Sequence, residues 1–141
     1  MKLRHVGITV TNLEQSLRFY RDLLGCEVVC EMDESGKHID NFSALTDVDV
    51  RTVKMKTKSE GMIELLFYRS HKKSPEKRQI VNIGCSHFAL TVENLEQLYD
   101  KLIEQGYAVH CEPQYSPDGK VKLTFCQDPD GTLIELVEDL C

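Results

Sequence analysis

The sequence predicts an α+β fold built from two βαβββ modules in tandem, and three observations carry that expectation. Residues 5–15, HVGITVTNLEQ, are matched by residues 87–97, HFALTVENLEQ, with identity at seven of eleven positions. The match continues as RDLLGCEVVCE against IEQGYAVHCE, with one residue deleted, and resumes as GMIELLFY against GTLIELVE. Each half also shows the same order of periodicities: an alternating run, a helical run, then three more alternating runs. Self-similarity in two separated blocks of one short chain points to duplication of a single module.

The elements follow in chain order. Residues 3–10 alternate as a strand. Thr11 or Asn12 then caps a helix of about 12 residues, whose apolar positions Leu13, Leu17, Tyr20 and Leu24 follow helical spacing and which Gly25 ends. Strands are expected at 26–33, 51–58 and 61–69. In the second half a strand covers 85–92, and a helix over 94–105 is capped by Asn94 and stopped by Gly106. Strands follow at 107–114, 120–127 and 131–138. Asp128-Pro129-Asp130-Gly131 is a turn, because Pro presets φ and Gly supplies the positive φ that follows. The polar, basic stretch SHKKSPEKRQIVN at 70–82 reads as a linker. The expected organisation is one domain over 1–141, with module 1 at about 1–69 and module 2 at about 83–141. Residues 34–49 form the longest irregular stretch, and loops of that length are often functional lids.

Composition narrows the function. A content of 41% hydrophobic and 28% charged residues is that of a soluble globular protein. The net charge of −6 argues against a nucleic-acid partner, since phosphate neutralisation needs clustered Lys and Arg. No apolar run is long enough to span a bilayer, so no membrane role is expected. The opening MKLRHV runs into a strand pattern and lacks the apolar stretch of a signal peptide, which makes the cytoplasm the expected compartment. The six cysteines form no CxxC pair, which removes the zinc-knuckle and thioredoxin-like spacings and leaves free thiols, several of them in the core and Cys141 exposed.

Strand alternation places chemistry on one face. Val6, Ile8 and Val10 are expected to pack on the helix, leaving His5, Gly7 and Thr9 on the opposite side. Phe88, Leu90 and Val92 pack likewise, which leaves His87, Ala89 and Thr91 outside. Ile63, Leu65 and Phe67 oppose Glu64, and Ile134 and Leu136 oppose Glu135. So each half brings one strand-start His and one mid-strand Glu to the face away from the helices. The small Gly7 and Ala89 leave room beside each imidazole. A mid-strand carboxylate among apolar neighbours is costly unless paired or bound to a cation. Two carboxylates and two neutral imidazoles form a balanced N₂O₂ set for one divalent ion, and such a set suits Zn, Ni, Co, Mn or Fe(II) without choosing among them. His5, Glu64, His87 and Glu135 are therefore the candidate metal ligands.

HVGITVTNLEQSLRFYRDLLG and DPDGTLIEL resemble the vicinal oxygen chelate superfamily, which includes glyoxalase I, methylmalonyl-CoA epimerase, extradiol dioxygenases and antibiotic-resistance proteins. The resemblance covers nearly the whole chain. It implies paired βαβββ modules whose mixed sheets curl around a cleft with flanking helices, and it places His5, Glu64, His87 and Glu135 at the first to fourth ligand positions. That His-Glu-His-Glu set resembles glyoxalase I. The epimerases usually carry Gln where this chain has Glu64, the dioxygenases use three ligands, and the bleomycin-binding proteins generally lack them. Thr9 and Tyr68 stand where the bacterial glyoxalase I has an Arg and an Asn that contact glutathione.

The resemblance thus implies a metal-dependent lyase or isomerase, similar to lactoylglutathione lyase. Its substrate would be a small α-oxo, thioester or hemithioacetal compound, processed through an enediolate stabilised by the ion. Glu135 or Glu64 would act as the catalytic base. The alternatives are an antibiotic-binding or resistance protein of the same fold and an acyl-CoA epimerase. A homodimer is implied, with sites formed within one chain or across two. Lys54 and Lys122 would favour an anionic substrate if they face the cleft, and His38 would approach the metal if the 34–49 stretch is a lid.

Overall fold

A computed structural model describes residues 1–141. The chain divides into two compact units, Met1–Pro75 and Glu76–Cys141. The boundary falls inside the polar 70–82 stretch.

The first unit runs β1 (Val6–Thr9), α1 (Leu13–Leu17), a π-helical stretch (Arg18–Leu23), β2 (Glu27–Ser35), α2 (Lys37–Ser43), β3 (Asp49–Lys56) and β4 (Met62–Tyr68). Its four strands are ordered β1-β4-β3-β2. β1 pairs parallel with β4, while β3 is antiparallel to both β4 and β2. The helix that returns the chain from β1 packs the sheet, and Ile8, Val10, Phe19, Tyr20, Val53, Met55, Ile63 and Leu65 are buried. Phe19 and Tyr20 meet edge to face at 4.9 Å, a preferred aromatic geometry.

The first helix carries a difference from the sequence expectation. Asn12 is its cap, accepting a hydrogen bond from the Gln15 N–H, and the second half is π-helical, with Leu24 N–H donating to the Phe19 carbonyl. The physical reason lies in the repeat. Asn12 to Gly25 is one residue longer than Asn94 to Gly106, and a π turn takes in one residue more than an α turn. The extra residue is absorbed there, and the buried side becomes Ser16, Phe19 and Tyr20.

The second unit runs β5 (Phe88–Thr91), α3 (Leu95–Glu104), β6 (Gln114–Tyr115), β7 (Val121–Gln127) and β8 (Leu133–Asp139). The strand order β5-β8-β7-β6 repeats that of the first unit. α3 is regular. Asn94 caps it by accepting from the Gln97 N–H, and Gly106 follows its end at φ 79°. Leu95, Leu102, Cys126, Leu133, Ile134 and Leu136 are buried here.

Two expectations are corrected. The 34–49 stretch is not irregular throughout, because it holds α2, and Asp40 ties its far end by accepting from the Asp47 and Val48 N–H groups. No residue of α2 is buried, so KHIDNFS carried no apolar stripe to reveal it. The strand expected at 107–114 is reduced to a bridge between Val109 and Cys126 and the two-residue β6. Pro113 lacks an N–H and interrupts the ladder between them. No helix is long and apolar enough to cross a membrane.

Candidate metal-binding and catalytic site

In the first unit the parallel register sets Gly7 beside Glu64. His5, two residues earlier, therefore projects to the Glu64 face, and its Nε2 lies 2.9 Å from Glu64 Oε2. A Cβ on Gly7 would lie 3.4 Å from Leu66 Cδ1, a contact with the end of a flexible side chain. From the other side β3 sets Lys54 across from Glu64, and its Nζ lies 3.7 Å from Oε1. Both oxygens of Glu64 thus face a nitrogen, and its side chain is only 13% exposed. That satisfies the requirement set by a carboxylate placed between Ile63 and Leu65.

The second unit repeats the first half of this arrangement. β5 sets Ala89 beside Glu135, and His87 Nε2 lies 3.4 Å from Glu135 Oε2. The rest differs. Phe125 occupies the position across from Glu135 that Lys54 takes across from Glu64. Its ring meets the His87 ring edge to face at 5.1 Å and stacks on His110 at 5.8 Å. Ser86 Oγ lies 2.8 Å from His87 Nδ1. His110 was not singled out from the sequence. The available signal was local: it stands in AVHCE where the other half has EVVCE, a polar ring replacing Val29.

The structure therefore arranges the four expected ligands as two His–Glu pairs, one in each unit. Neither unit by itself gathers three or more His, Cys, Asp or Glu side chains able to hold an ion. The donor chemistry of the pairs does fit a divalent metal. Each offers one imidazole nitrogen and one carboxylate oxygen, side by side and partly shielded from solvent.

The two lysines separate. Lys54 shares the face of Glu64. Lys122 does not share the face of Glu135: the register sets it across from Glu138, on the helix side. There it is buried, bonded to Glu96 at the start of α3, and 3.6 Å from Glu138. The hydrogen bond from Lys122 holds the Glu96 carboxyl below its ordinary range, and the same bond raises the Lys122 ammonium. The reason is alternation: Val121, Leu123 and Phe125 take the Glu135 side, so Lys122 must point toward α3. His38 lies on α2, where its ring meets Phe42 edge to face at 6.0 Å.

These features define a duplicated α+β protein whose two βαβββ units each present one His–Glu pair on a sheet face. The chain belongs to the glyoxalase/bleomycin resistance protein/dioxygenase superfamily, whose family model matches residues 2–136. A probable lactoylglutathione lyase of Synechocystis is 32% identical over 98% of this chain and 95% of its own length. The lactoylglutathione lyase of Escherichia coli O157:H7 is 27% identical over 99% of this chain and 93% of its own. A glyoxalase family protein from Bacillus cereus shares the fold, with a TM-score of 0.88 at 21% identity, covering 100% of this chain and 95% of that one.

Proposed function

We propose that the chain is a metal-dependent lyase or isomerase of the glyoxalase I type, acting on a small α-oxo compound presented as a hemithioacetal. The observation that supports this most directly is the repeated pairing of a strand-start imidazole with a mid-strand carboxylate, at 2.9 Å in one unit and 3.4 Å in the other. His5, Glu64, His87 and Glu135 are the proposed ligands. When bound, the ion supplies Lewis-acid stabilisation of negative charge developing on a substrate oxygen.

The residues of the chain then divide the work. His5 and Lys54 hold both oxygens of Glu64, which suits a fixed ligand. Glu135 meets only His87 and has the apolar Phe125 beside it. It is the carboxylate better placed to take the proton from the carbon next to the carbonyl and return it to the adjacent carbon. Thr9 and Tyr68 bring no charge to the β1–β4 edge, so the thiol portion of the substrate is the part the ligand set does not define.

The test is turnover of the hemithioacetal of methylglyoxal with glutathione, measured with Ni, Co, Mn and Zn in turn. A parallel series uses the hemithioacetal of 2-mercaptoethanol. Activity with at least one metal is expected, and Glu135→Gln should lower kcat by about 10²- to 10⁴-fold. No turnover of either compound with any of the four metals would sink the proposal.

A further inference from the structure

The two His–Glu pairs are built differently around the imidazole, and the difference lies outside the ligand set. His5 is preceded by the exposed Arg4 and has Lys54 nearby, across from Glu64. His87 is preceded by Ser86, whose Oγ lies 2.8 Å from Nδ1, and has Phe125 across from its Glu. A neutral imidazole carries one N–H. A hydroxyl both donates and accepts, so in either tautomer Ser86 holds the Nδ1 edge of the ring and leaves Nε2 toward Glu135. The Phe125 ring, edge to face at 5.1 Å and 71°, then restricts the tilt of the imidazole. His110, stacked on Phe125 at 5.8 Å and 17°, backs the aromatic ring in turn.

We propose that Ser86 and Phe125 are positioning residues for His87, fixing its ring orientation so that Nε2 is presented as the donor atom. This rests on the reading of His87 as a metal ligand. Ordering of this kind raises affinity because the imidazole need not be reoriented when the ion arrives. No hydroxyl equivalent to that of Ser86 precedes His5, where the residue is Arg4.

The experiment compares the wild-type chain with Ser86→Ala, Ser86→Thr, Phe125→Leu and His87→Ala. It reads zinc affinity by competition with a chromophoric chelator, with thermal unfolding of the metal-free proteins as a folding control. Ser86→Ala should weaken zinc binding about 10- to 100-fold, Phe125→Leu should weaken it in the same direction, and Ser86→Thr should restore most of the loss. Wild-type affinity in Ser86→Ala, or equal loss in Ser86→Ala and Ser86→Thr, overturns the positioning role while a weakened His87→Ala leaves the ligand reading intact. Unchanged affinity in His87→Ala, or no zinc binding by any form, overturns the ligand reading and the positioning role with it.

Discussion

Lys54 stands across from Glu64 where the second half sets Phe125 across from Glu135, and it bears directly on Glu64. Its ammonium stands 3.7 Å from an oxygen that a metal ion would also use. Both groups are partly exposed to solvent, so the pair is worth about 0.5–1 kcal/mol. Lys54→Met should therefore tighten zinc binding by about two- to five-fold, measured by chelator competition; weaker binding would contradict the competition. Cys126 gives a prediction in pH. Burial pushes its thiol up to about 12, from an ordinary value of 9.0. The unfolded chain ionises this group above about pH 9 and the folded chain does not, so ionisation favours unfolding there. The stabilising contribution is complete below pH 9 and declines as pH rises from 9 toward 12. Urea midpoints between pH 8 and pH 10.5 should fall more steeply for the wild-type chain than for Cys126→Ala. The thiols should also differ in reactivity: Cys30, Cys85, Cys111 and Cys141 are exposed and should react quickly with a thiol reagent, whereas Cys26 and Cys126 should react only on unfolding.

At the scale of elements, the two helices show how one module tolerates a change of length. α3 keeps regular spacing from Asn94 to Gly106, whereas the first helix takes up its additional residue as a π turn. Ser16, in the α-helical turn before it, is fully buried, and its hydroxyl has no hydrogen-bond partner. An unsatisfied buried hydroxyl costs roughly 1–3 kcal/mol, partly offset by its packing. Ser16→Ala should accordingly raise stability by about 1 kcal/mol, read as a higher urea midpoint, and a drop would show that the hydroxyl is satisfied in solution. The end of α3 makes the opposite point. Gly106 adopts φ 79° with open space where a Cβ would lie, so Gly106→Ala costs only the backbone strain, about 1–2 kcal/mol.

At the scale of the whole molecule, an ion that binds only the folded chain must stabilise it. Zinc at 100 times its dissociation constant should add about 2.7 kcal/mol, read as a higher Tm that chelation reverses. Single replacement of His5 or of His87 by Ala should each reduce that increment, because both are proposed ligands. Much of the architecture behind this was legible beforehand. Seven identities in the 5–15 and 87–97 blocks disclosed the duplication, and alternation assigned Ile8, Ile63, Leu65, Ile134 and Leu136 to the packed side, where they are buried. The same alternation put His5 with Glu64 and His87 with Glu135. What stayed hidden had physical causes. α2 has no buried stripe, the loss of pairing around Pro113 depends on one missing N–H, and the direction of Lys122 depends on which strand neighbour it meets.

By itself the sequence determined that this protein is a duplicated βαβββ chain with one His and one Glu on the same sheet face of each half. Period-two alternation is a local property, and any strand that buries its apolar side must obey it. Only the tertiary structure decided what stands beside those residues. Ladder register, set by long-range pairing, placed Lys54 across from Glu64 and Phe125 across from Glu135, and turned Lys122 to Glu96 and Glu138. Residues far apart in the chain become neighbours through register, and no local pattern records it. The imidazole and carboxylate pairs were therefore readable from the chain, while the groups that tune them were not.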